Sequence, residues 1–238
     1  MRRLLWLTSV AVLVDTMFYA AITPLLPHYQ SDLGLSKAAA GVLVASYAAG
    51  TLLGSFPGGW FAARYGPKRA TMTGLVLLSV SGLAFGAGQH IALLDSARFL
   101  QGVGGAFTWT GTLSWLVIAS PDTRGKQIGS AMAAAILGVV LGPVLGGIAV
   151  VLSPEAVFTG VAVLGAGLCW WASKIPAGPP TREPERIDLR LVLRPPVLLA
   201  IVLVLLPSQY AGVFDVLVPL RMDQLGATGL AIGAVFVL

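Results

Sequence analysis

An uncharged apolar run at residues 128–152 contains the stretch Gly138-Val139-Val140-Leu141-Gly142-Pro143-Val144-Leu145-Gly146-Gly147. The run is too long for a strand, so we predict a helix. Small residues recur along it at every fourth position: Ser130, Ala134, Gly138, Gly142 and Gly146. This period puts them on one slowly drifting helix face, which another helix can approach closely. Pro143 removes a backbone donor beside that face, and we expect it to bend the helix.

The overall composition indicates an integral membrane protein. Of 238 residues, 56% are hydrophobic and only 11% are charged, with a mean hydropathy of +0.86, whereas a soluble domain averages about 25% charged residues. The single cysteine, Cys169, excludes a disulfide framework and a cysteine metal cluster. We predict no cofactor. We also predict no enzyme, because neither His28 nor His90 has a nucleophile or a metal-ligand spacing beside it.

Seven apolar runs are long enough to cross a bilayer, which requires about 20 residues. Predicted spans 1 to 7 are residues 4–27, 38–63, 70–88, 91–118, 128–152, 155–173 and 197–220. A truncated eighth span begins near Thr228 and reaches Leu238. The sequence therefore predicts an all-α membrane protein with a six-helix half bundle, one further full span and the start of another.

The basic residues fall mainly on one side of these spans. Twelve of the fifteen lie at the N-terminus or in the loops that follow spans 2, 4 and 6, while only Lys37 and Arg221 lie on the other side. The positive-inside rule then predicts a cytoplasmic N-terminus in the cell membrane. Topology explains the net charge of +5, and we predict no nucleic-acid partner. Signal-peptide cleavage is disfavoured, because the first apolar run is longer than a typical h-region and contains Asp15.

Spans 1 and 7 each carry a carboxylate. Asp15 lies about half-way across span 1, where an ionised carboxylate facing lipid would cost at least about 2.5 kcal/mol. We therefore expect Asp15 to face the bundle interior, either to handle charge or to bond a neighbouring helix. Asp215 lies four residues before Pro219 and is either a second such site or an outer-end acid in contact with water.

Span 4 carries a buried-cation candidate, Arg98. Alternatively, Arg98 pairs with Asp95 three residues earlier, near the outer surface. The glycine-rich segment at residues 102–105 is not a nucleotide loop, because no strand precedes it and no Gly-Lys-Ser/Thr follows. Nothing else in the chain indicates an ATP site. Helical spacing puts five span 4 residues on one face: Arg98, Gln101, Gly102, Gly105 and Trp109.

Three motifs resemble those of the major facilitator superfamily, in particular its drug:proton antiporters and vesicular monoamine transporters. Residues 138–147 resemble the antiporter motif GxxxGPxxGG, through Gly138, Gly142, Pro143, Gly146 and Gly147. Arg98 and Gly102 resemble the RxxxG motif, whose arginine is linked to proton coupling. The corner after span 2 is similar to the loop signature GxxxDRxGRK, matching it at Gly59, Arg64, Gly66 and Lys68.

The corner at residues 59–69 departs from that signature at one important position. Ala63 stands where the family has an aspartate that helps to latch the outward-open state, so conventional gating is in doubt. The alternative is a tight turn with basic anchors, which explains Gly66-Pro67 without any gate. Span 2 also repeats the small-residue ladder, at Ser46, Gly50, Gly54 and Gly58.

The resemblance implies a division into three parts. Residues 1–174 form a six-span repeat, residues 175–196 a cytoplasmic loop, and residues 197–238 the start of a second repeat. A shift of 192 positions supports the repeat, since it aligns identical residues such as Gly34 with Gly226. We expect the chain to be part of a twelve-span carrier, completed by a missing C-terminal half or a second copy. The ladders of spans 2 and 5 would then lack most of their packing partners.

The resemblance also implies a function and a site. It points to proton-coupled export of a small cationic or amphipathic compound, with protons and substrate bound through Asp15, Arg98, Gln101 and Asp215. One alternative is metabolite uptake by a carrier of the same superfamily. A second alternative is a membrane scaffold that transports nothing. Proton-dependent dye efflux distinguishes the first interpretation from the scaffold, and the direction of transport distinguishes it from uptake.

Overall fold

The computed structural model describes residues 2–177 and 194–236, which form α-helices, two short 3-10 turns and no strand. The all-α prediction is therefore confirmed. The predicted loop at residues 175–196 lies largely outside the described residues. The helices are α1 (Arg2–Ala20), α2 (Leu26–Leu33), α3 (Lys37–Tyr65), α4 (Pro67–Gly86), α5 (Ile91–Ala119), α6 (Arg124–Val151), α7 (Pro154–Lys174), α8 (Pro195–Gln224) and α9 (Gly229–Val235).

Predicted spans 2 to 8 correspond in order to α3 to α9, but span 1 is not one continuous helix. It consists of α1, a 3-10 turn at Thr23–Leu25 and α2. Pro24 has no N–H to donate to the carbonyl of Ala20, so the α-helical ladder cannot continue there. The chain turns through Ile22, whose carbonyl accepts from the backbone N–H groups of Leu25 and Leu26 at 3.0 and 3.1 Å.

Within the described residues, six helical segments are long and apolar enough to cross a membrane. The 29-residue α5 is not among them, and it carries Asp95, Arg98 and Gln101. Arg98 and Gln101 are fully buried in the bundle, where α5 packs along both α3 and α4. We therefore treat α5 as a membrane-spanning helix that is covered by its neighbours.

The ladder of span 5 packs tightly inside this bundle, so the prediction that it would lack partners is wrong. Gly138, Gly142 and Gly146 on α6 are buried against α1 and the 3-10 turn. A Cβ atom on Gly142 would lie only 2.7 Å from the carbonyl oxygen of Met17. The first six-helix unit thus provides its own partner for this face.

The buried face of α6 also rotates further around the helix axis than predicted. Near the start of the helix, Ala131 and Ala135 are buried instead of Ser130 and Ala134. An α-helix has 3.6 residues per turn, so a strict four-residue period rotates away from the contact. The line of contact, or seam, between α1 and α6 passes through Thr16, whose hydroxyl donates to the carbonyl of Ala135 at 3.0 Å.

The ladder of span 2 packs in the same way, against α5. Gly50 lies against the backbone of Phe99, and a Cβ atom on Gly54 would lie 2.9 Å from the Cα atom of Val103. Gly102 on α5 in turn lies against α3, where a Cβ atom would lie 2.8 Å from the N atom of Thr51. Both helices therefore need glycine at the same crossing.

The second part of the chain touches a different face of α6. Gly233 on α9 lies beside Pro143, whose carbonyl oxygen would be 2.6 Å from an added Cβ atom. Gly147 similarly faces Gly229 and Leu230. The stretch at residues 138–147 therefore joins two neighbours, with α1 on one side and the start of α9 on the other.

Two corners that the predicted shift of 192 positions aligns have the same local structure. Gly34 and Gly226 follow the ends of α2 and α8, and both have positive φ angles, 63° and 85°. Two residues later, Ser36 and Thr228 cap the next helix by accepting from the backbone N–H three positions on, at 3.2 and 3.3 Å. Glycine tolerates the left-handed conformation, and Ser and Thr are favoured N-caps.

Changing Gly142 to alanine tests the tight seam between α1 and α6. The added methyl group would overlap the backbone of Met17, and overpacking of this kind typically costs about 1–3 kcal/mol. We expect Gly142→Ala to lower the midpoint of thermal unfolding in detergent.

Gly129→Ala is the matched control on the same helix. Gly129 is exposed, and nothing lies within 4 Å of its added Cβ atom. Alanine there should leave stability unchanged or raise it slightly, by up to about 1 kcal/mol. Equal midpoints for the two variants would show that the seam tolerates a methyl group.

Candidate functional site

Asp15 lies in the interior of the bundle, on α1, with its side chain fully buried (0% exposed). The indole N–H of Trp109 on α5 donates to its Oδ2 at 3.0 Å. Its Oδ1 has no hydrogen-bond partner in the described structure. The carboxylate is thus held by one donor and retains one oxygen able to accept another.

Arg98 on α5 is also fully buried. Its Nη1 donates to Oε1 of Gln101 at 2.7 Å, and its Nη2 makes a longer contact of 3.4 Å with the carbonyl of Tyr19. The guanidinium carbon lies 5.1 Å from the ring centre of Tyr47 and 5.7 Å from that of Tyr19. These are cation–π distances, and such contacts are strongest where water is excluded.

The alternative pairing of Arg98 with Asp95 is wrong for this structure. Among the described residues, the ion pair found within 4 Å joins His28 and Asp32. Gln101 and the two tyrosine rings hold the guanidinium inside the bundle, while Oδ1 of Asp95 has no hydrogen-bond partner. Asp15 and Arg98 likewise make no direct ion pair.

Gly105 provides the space in which Asp15 and Tyr47 meet α5. A Cβ atom at this position would lie 2.9 Å from the Tyr47 hydroxyl oxygen and 3.3 Å from Oδ1 of Asp15. Any larger residue would push one of them away. The site is therefore built from α1, α3 and α5, and we refer to Asp15, Tyr19, Tyr47, Arg98, Gln101 and Trp109 as the central cluster.

Several polar atoms of the central cluster remain unpartnered: Oδ1 of Asp15, Nε of Arg98 and Nε2 of Gln101. Buried polar atoms in folded proteins are usually hydrogen-bonded, and an unpaired one is unfavourable. Oδ1 of Asp15 can therefore accept a proton or a hydrogen bond, while the N–H groups of Arg98 and Gln101 can donate to water or a polar ligand. Of the predicted site residues, Asp15, Arg98 and Gln101 come together here.

Asp215 lies on α8, at the edge of the central cluster. Its side chain is partly buried rather than fully exposed, and it is close enough to act electrostatically on the Tyr19 hydroxyl. This position differs from that of an acid in open water. Whether Asp215 contributes to binding remains a prediction.

Tyr19 and Tyr47 were not predicted as site residues, although their spacing in the sequence puts each on a helix face that faces the bundle. Tyr19 follows Asp15 by four residues and so shares its helix face. Tyr47 precedes Gly50 and Gly54 by three and seven residues, which puts it on the face of α3 that packs on α5. Their rings lie 4.6 Å apart.

The corner at residues 59–69 has the geometry of a tight turn with a basic anchor. Gly66 has a φ angle of 92°, and Pro67 begins α4. Lys68 donates from Nζ to the carbonyls of Ser173 and Ile175, at 2.9 and 2.6 Å, at the end of α7. Arg64 is exposed and lies over the ring of Tyr65, while Gly59 has open space beside its Cα atom. A gating role for this corner remains a prediction.

A sequence profile of the Major Facilitator Superfamily matches residues 8–238. Multidrug resistance protein 1 of Bacillus subtilis (strain 168) is 28% identical over 229 residues, covering 91% of this chain and 59% of that protein. Quinolone resistance protein NorA of Staphylococcus aureus (strain MRSA252) is 32% identical over 115 residues, covering 48% of this chain and 30% of that protein. The chain thus spans less than two thirds of these relatives.

Solved structures show the same fold. A crystal structure of a D-xylose–proton symporter superposes with a TM-score of 0.73 at 15% identity, covering 99% of this chain and 64% of that one. Together with the bundle of apolar helices, these findings define a multi-pass helical membrane protein with the fold of this superfamily. The chain belongs to the Major Facilitator Superfamily.

Lys68→Met tests the anchoring of α7. The variant removes a charged donor from two carbonyls, and one hydrogen bond to a charged group contributes about 1.5–3 kcal/mol. We expect amide hydrogen exchange in the last turn of α7 to become at least about tenfold faster. Lys126→Met, at an exposed lysine on α6, is the control and should leave that exchange unchanged. Equal exchange rates in the two variants would show that Lys68 does not anchor the end of α7.

Proposed function

We propose that this chain forms the substrate- and proton-binding half of a proton-coupled exporter of small cationic or amphipathic compounds. The observation that carries the proposal is the carboxylate of Asp15. It is fully buried, is held by Trp109 through Oδ2, and keeps Oδ1 without a partner. A carboxylate that is isolated from water and has one unpartnered oxygen suits reversible binding of a positive charge.

Exchange follows from competition for one carboxylate. A proton or a cationic substrate can each neutralise Asp15, and binding of one removes the charge that attracts the other. An ionised carboxylate in a membrane interior is unfavourable when alone, so the site favours an occupied state with either ligand. This exclusion is the coupling that an antiporter needs.

Arg98 has a supporting role in the proposal. Its guanidinium is held by Gln101 and by the rings of Tyr19 and Tyr47, not by Asp15. It therefore adds positive charge near the carboxylate without occupying it. Two charges of opposite sign interact strongly at short range in a region of low dielectric constant, so a small movement of α5 relative to α1 would change the affinity of Asp15 for protons.

Export is supported by the relatives rather than by the geometry. The similar proteins of Bacillus subtilis and Staphylococcus aureus carry names of multidrug and quinolone resistance. The structural likeness to D-xylose–proton symporters is at 15% identity and supports only the fold. We further propose that the carrier lies in the cell membrane with a cytoplasmic N-terminus, as the basic loops indicate.

The proposal includes a second set of helices. Residues of α8 are exposed along most of its length, and α9 packs on Pro143 and Gly147 of α6. In this superfamily an alternating-access cavity forms between two repeats. We propose that a second repeat, from further sequence or from a second copy, completes such a cavity beside the central cluster.

Asp15→Asn in the complete carrier tests the proposed function. Asparagine keeps the size and can still accept from Trp109, but it cannot ionise. We expect normal membrane insertion and a loss of proton-driven dye efflux of at least about tenfold, since one ionic contact to a buried group is worth more than the 1.4 kcal/mol that a factor of ten requires.

Asp122→Asn is the control, because Asp122 is exposed in the turn before α6. It should transport as the unmodified carrier does. Normal efflux by Asp15→Asn would show that Asp15 is structural, and Asp215 would become the next candidate. Proton-driven accumulation of the dye in place of efflux would favour an uptake carrier.

A further inference from the structure

Trp109 connects α5 to the carboxylate of Asp15. It follows Gly105 by four residues, so it shares the helix face at which Asp15 meets α5. The indole crosses to α1, where its N–H donates to Oδ2 of Asp15 at 3.0 Å. Within the described residues, Oδ1 has no hydrogen-bond partner. This one bond therefore determines how the carboxyl group is oriented.

The polar side chains beside Asp15 donate elsewhere. The buried guanidinium of Arg98 donates to Gln101 at 2.7 Å. The hydroxyl of Thr16, the next residue in the chain, donates to backbone carbonyls of α1 and α6. Neither group holds an oxygen of the carboxylate in this structure, so its orientation depends on Trp109.

The indole makes the two oxygens of Asp15 unequal. An indole N–H is a donor and has no acceptor atom. The carbonyl oxygen of a protonated carboxyl group accepts a hydrogen bond better than its hydroxyl oxygen does, so the bond to Trp109 is strongest when Oδ2 is the carbonyl oxygen. A proton that binds to Asp15 is therefore favoured on Oδ1, which is also the oxygen without a partner.

We propose that Trp109 is a positioning residue that makes the proton and the cationic substrate compete for one atom, Oδ1 of Asp15. This inference rests on the proposed function. When the cation binds, the O–H bond at Oδ1 breaks, its electron pair stays on the carboxylate, and the proton passes to water. The cation then occupies Oδ1, while Oδ2 keeps its bond to the indole throughout.

The bond to Trp109 can persist while the carrier changes conformation. Asp15 is fully buried in this structure, so the proton and the cation exchange in a conformation that opens the central cluster to water. Both α1 and α5 belong to the first six-helix unit, and alternating access moves one repeat against the other largely as rigid bodies. Such a movement leaves Oδ2 bonded and Oδ1 as the oxygen that the ligands reach.

The other ionisable groups around Asp15 keep one charge state in acidic buffer. Arg98 on α5 stays protonated, and the hydroxyls of Tyr47 on α3 and Tyr19 on α1 stay neutral. The acid Asp215 on α8 acts on Tyr19, and its contribution is separated from that of Asp15 by the Asp15→Asn carrier. The charged residues of α6 and α7, which also pack on α1, are exposed: Arg124, Lys126, Glu155 and Lys174.

Ethidium binding to the purified complete carrier in detergent tests the proposal, in the acidic range where the unmodified carrier releases one proton per ethidium. Proton linkage then requires the Kd for ethidium to rise about tenfold for each unit by which the pH is lowered. Trp109→Phe removes the donor, so the proton can occupy one oxygen while the cation contacts the other. We expect this variant to release fewer than about 0.5 protons per ethidium and its Kd to rise less than about threefold per pH unit.

Two further replacements separate the lost donor from disturbed packing. Trp115→Phe is the matched control, because Trp115 lies on the same helix and is only 1% exposed, whereas Trp109 is partly exposed. It should still release one proton per ethidium. Benzothienylalanine at position 109 keeps the bicyclic shape and has sulfur in place of the N–H. It should lose the coupling as Trp109→Phe does, and it keeps the test decisive if Trp109→Phe unfolds.

The results that would overturn this proposal differ from those that would refute the proposed function. A full proton per ethidium with benzothienylalanine would show that the indole donor is not needed. Lost proton release in Trp115→Phe would show that packing of α5 sets the coupling, and it would also overturn the proposal. No release by the unmodified carrier, or unchanged release by Asp15→Asn, would refute the proposed function itself.

Discussion

The structure depends on backbone-to-backbone contact between helices at glycine. Gly50 and Gly102 let α3 and α5 touch, and Gly138, Gly142 and Gly146 let α6 touch α1. Between membrane helices, packing replaces the hydrophobic effect as the main source of association, and small residues at the contact make that packing close. The crossing at Gly50 and Gly102 holds α3 against α5, and Gly105 lets Asp15 of α1 and Tyr47 of α3 approach that same helix.

The central cluster shows what this closeness makes possible. Two opposite charges, Asp15 and Arg98, are both removed from solvent, yet they do not pair directly. Each is held by its own neutral partners, Trp109 for the acid and Gln101 with two tyrosine rings for the base. A buried direct ion pair would be hard to open, since removing one partner from such a pair is strongly unfavourable. Separate support keeps Arg98 off the carboxylate, as the proposed binding of a different positive charge to Asp15 requires.

The sequence was informative about single helices and less so about which helices meet. A carboxylate in mid-span and a polar face with Arg98 and Gln101 predicted buried groups, because lipid cannot solvate them. The glycine periods predicted close helix contacts but not the partners, which are α1 for the ladder on α6 and α5 for the ladder on α3. Tyr19 and Tyr47 were not predicted, because an aromatic residue in a membrane helix can face lipid, pack in the core or line a binding site. Only the crossing of three helices shows that both rings face Arg98. The break in span 1 after Ala20 was also not predicted. It arises because Pro24 has no N–H to continue the helical hydrogen bonds, so the chain forms a 3-10 turn instead.

We propose that one carboxylate, Asp15, exchanges a proton for a cationic substrate. Its most direct test is proton release on binding, followed with a pH indicator in weak buffer as ethidium is added to the purified complete carrier in detergent. We expect the unmodified carrier to release a proton for each ethidium bound and the Asp15→Asn carrier to release none. Ethidium binding without proton release by the unmodified carrier, or equal release by Asp15→Asn, would contradict it.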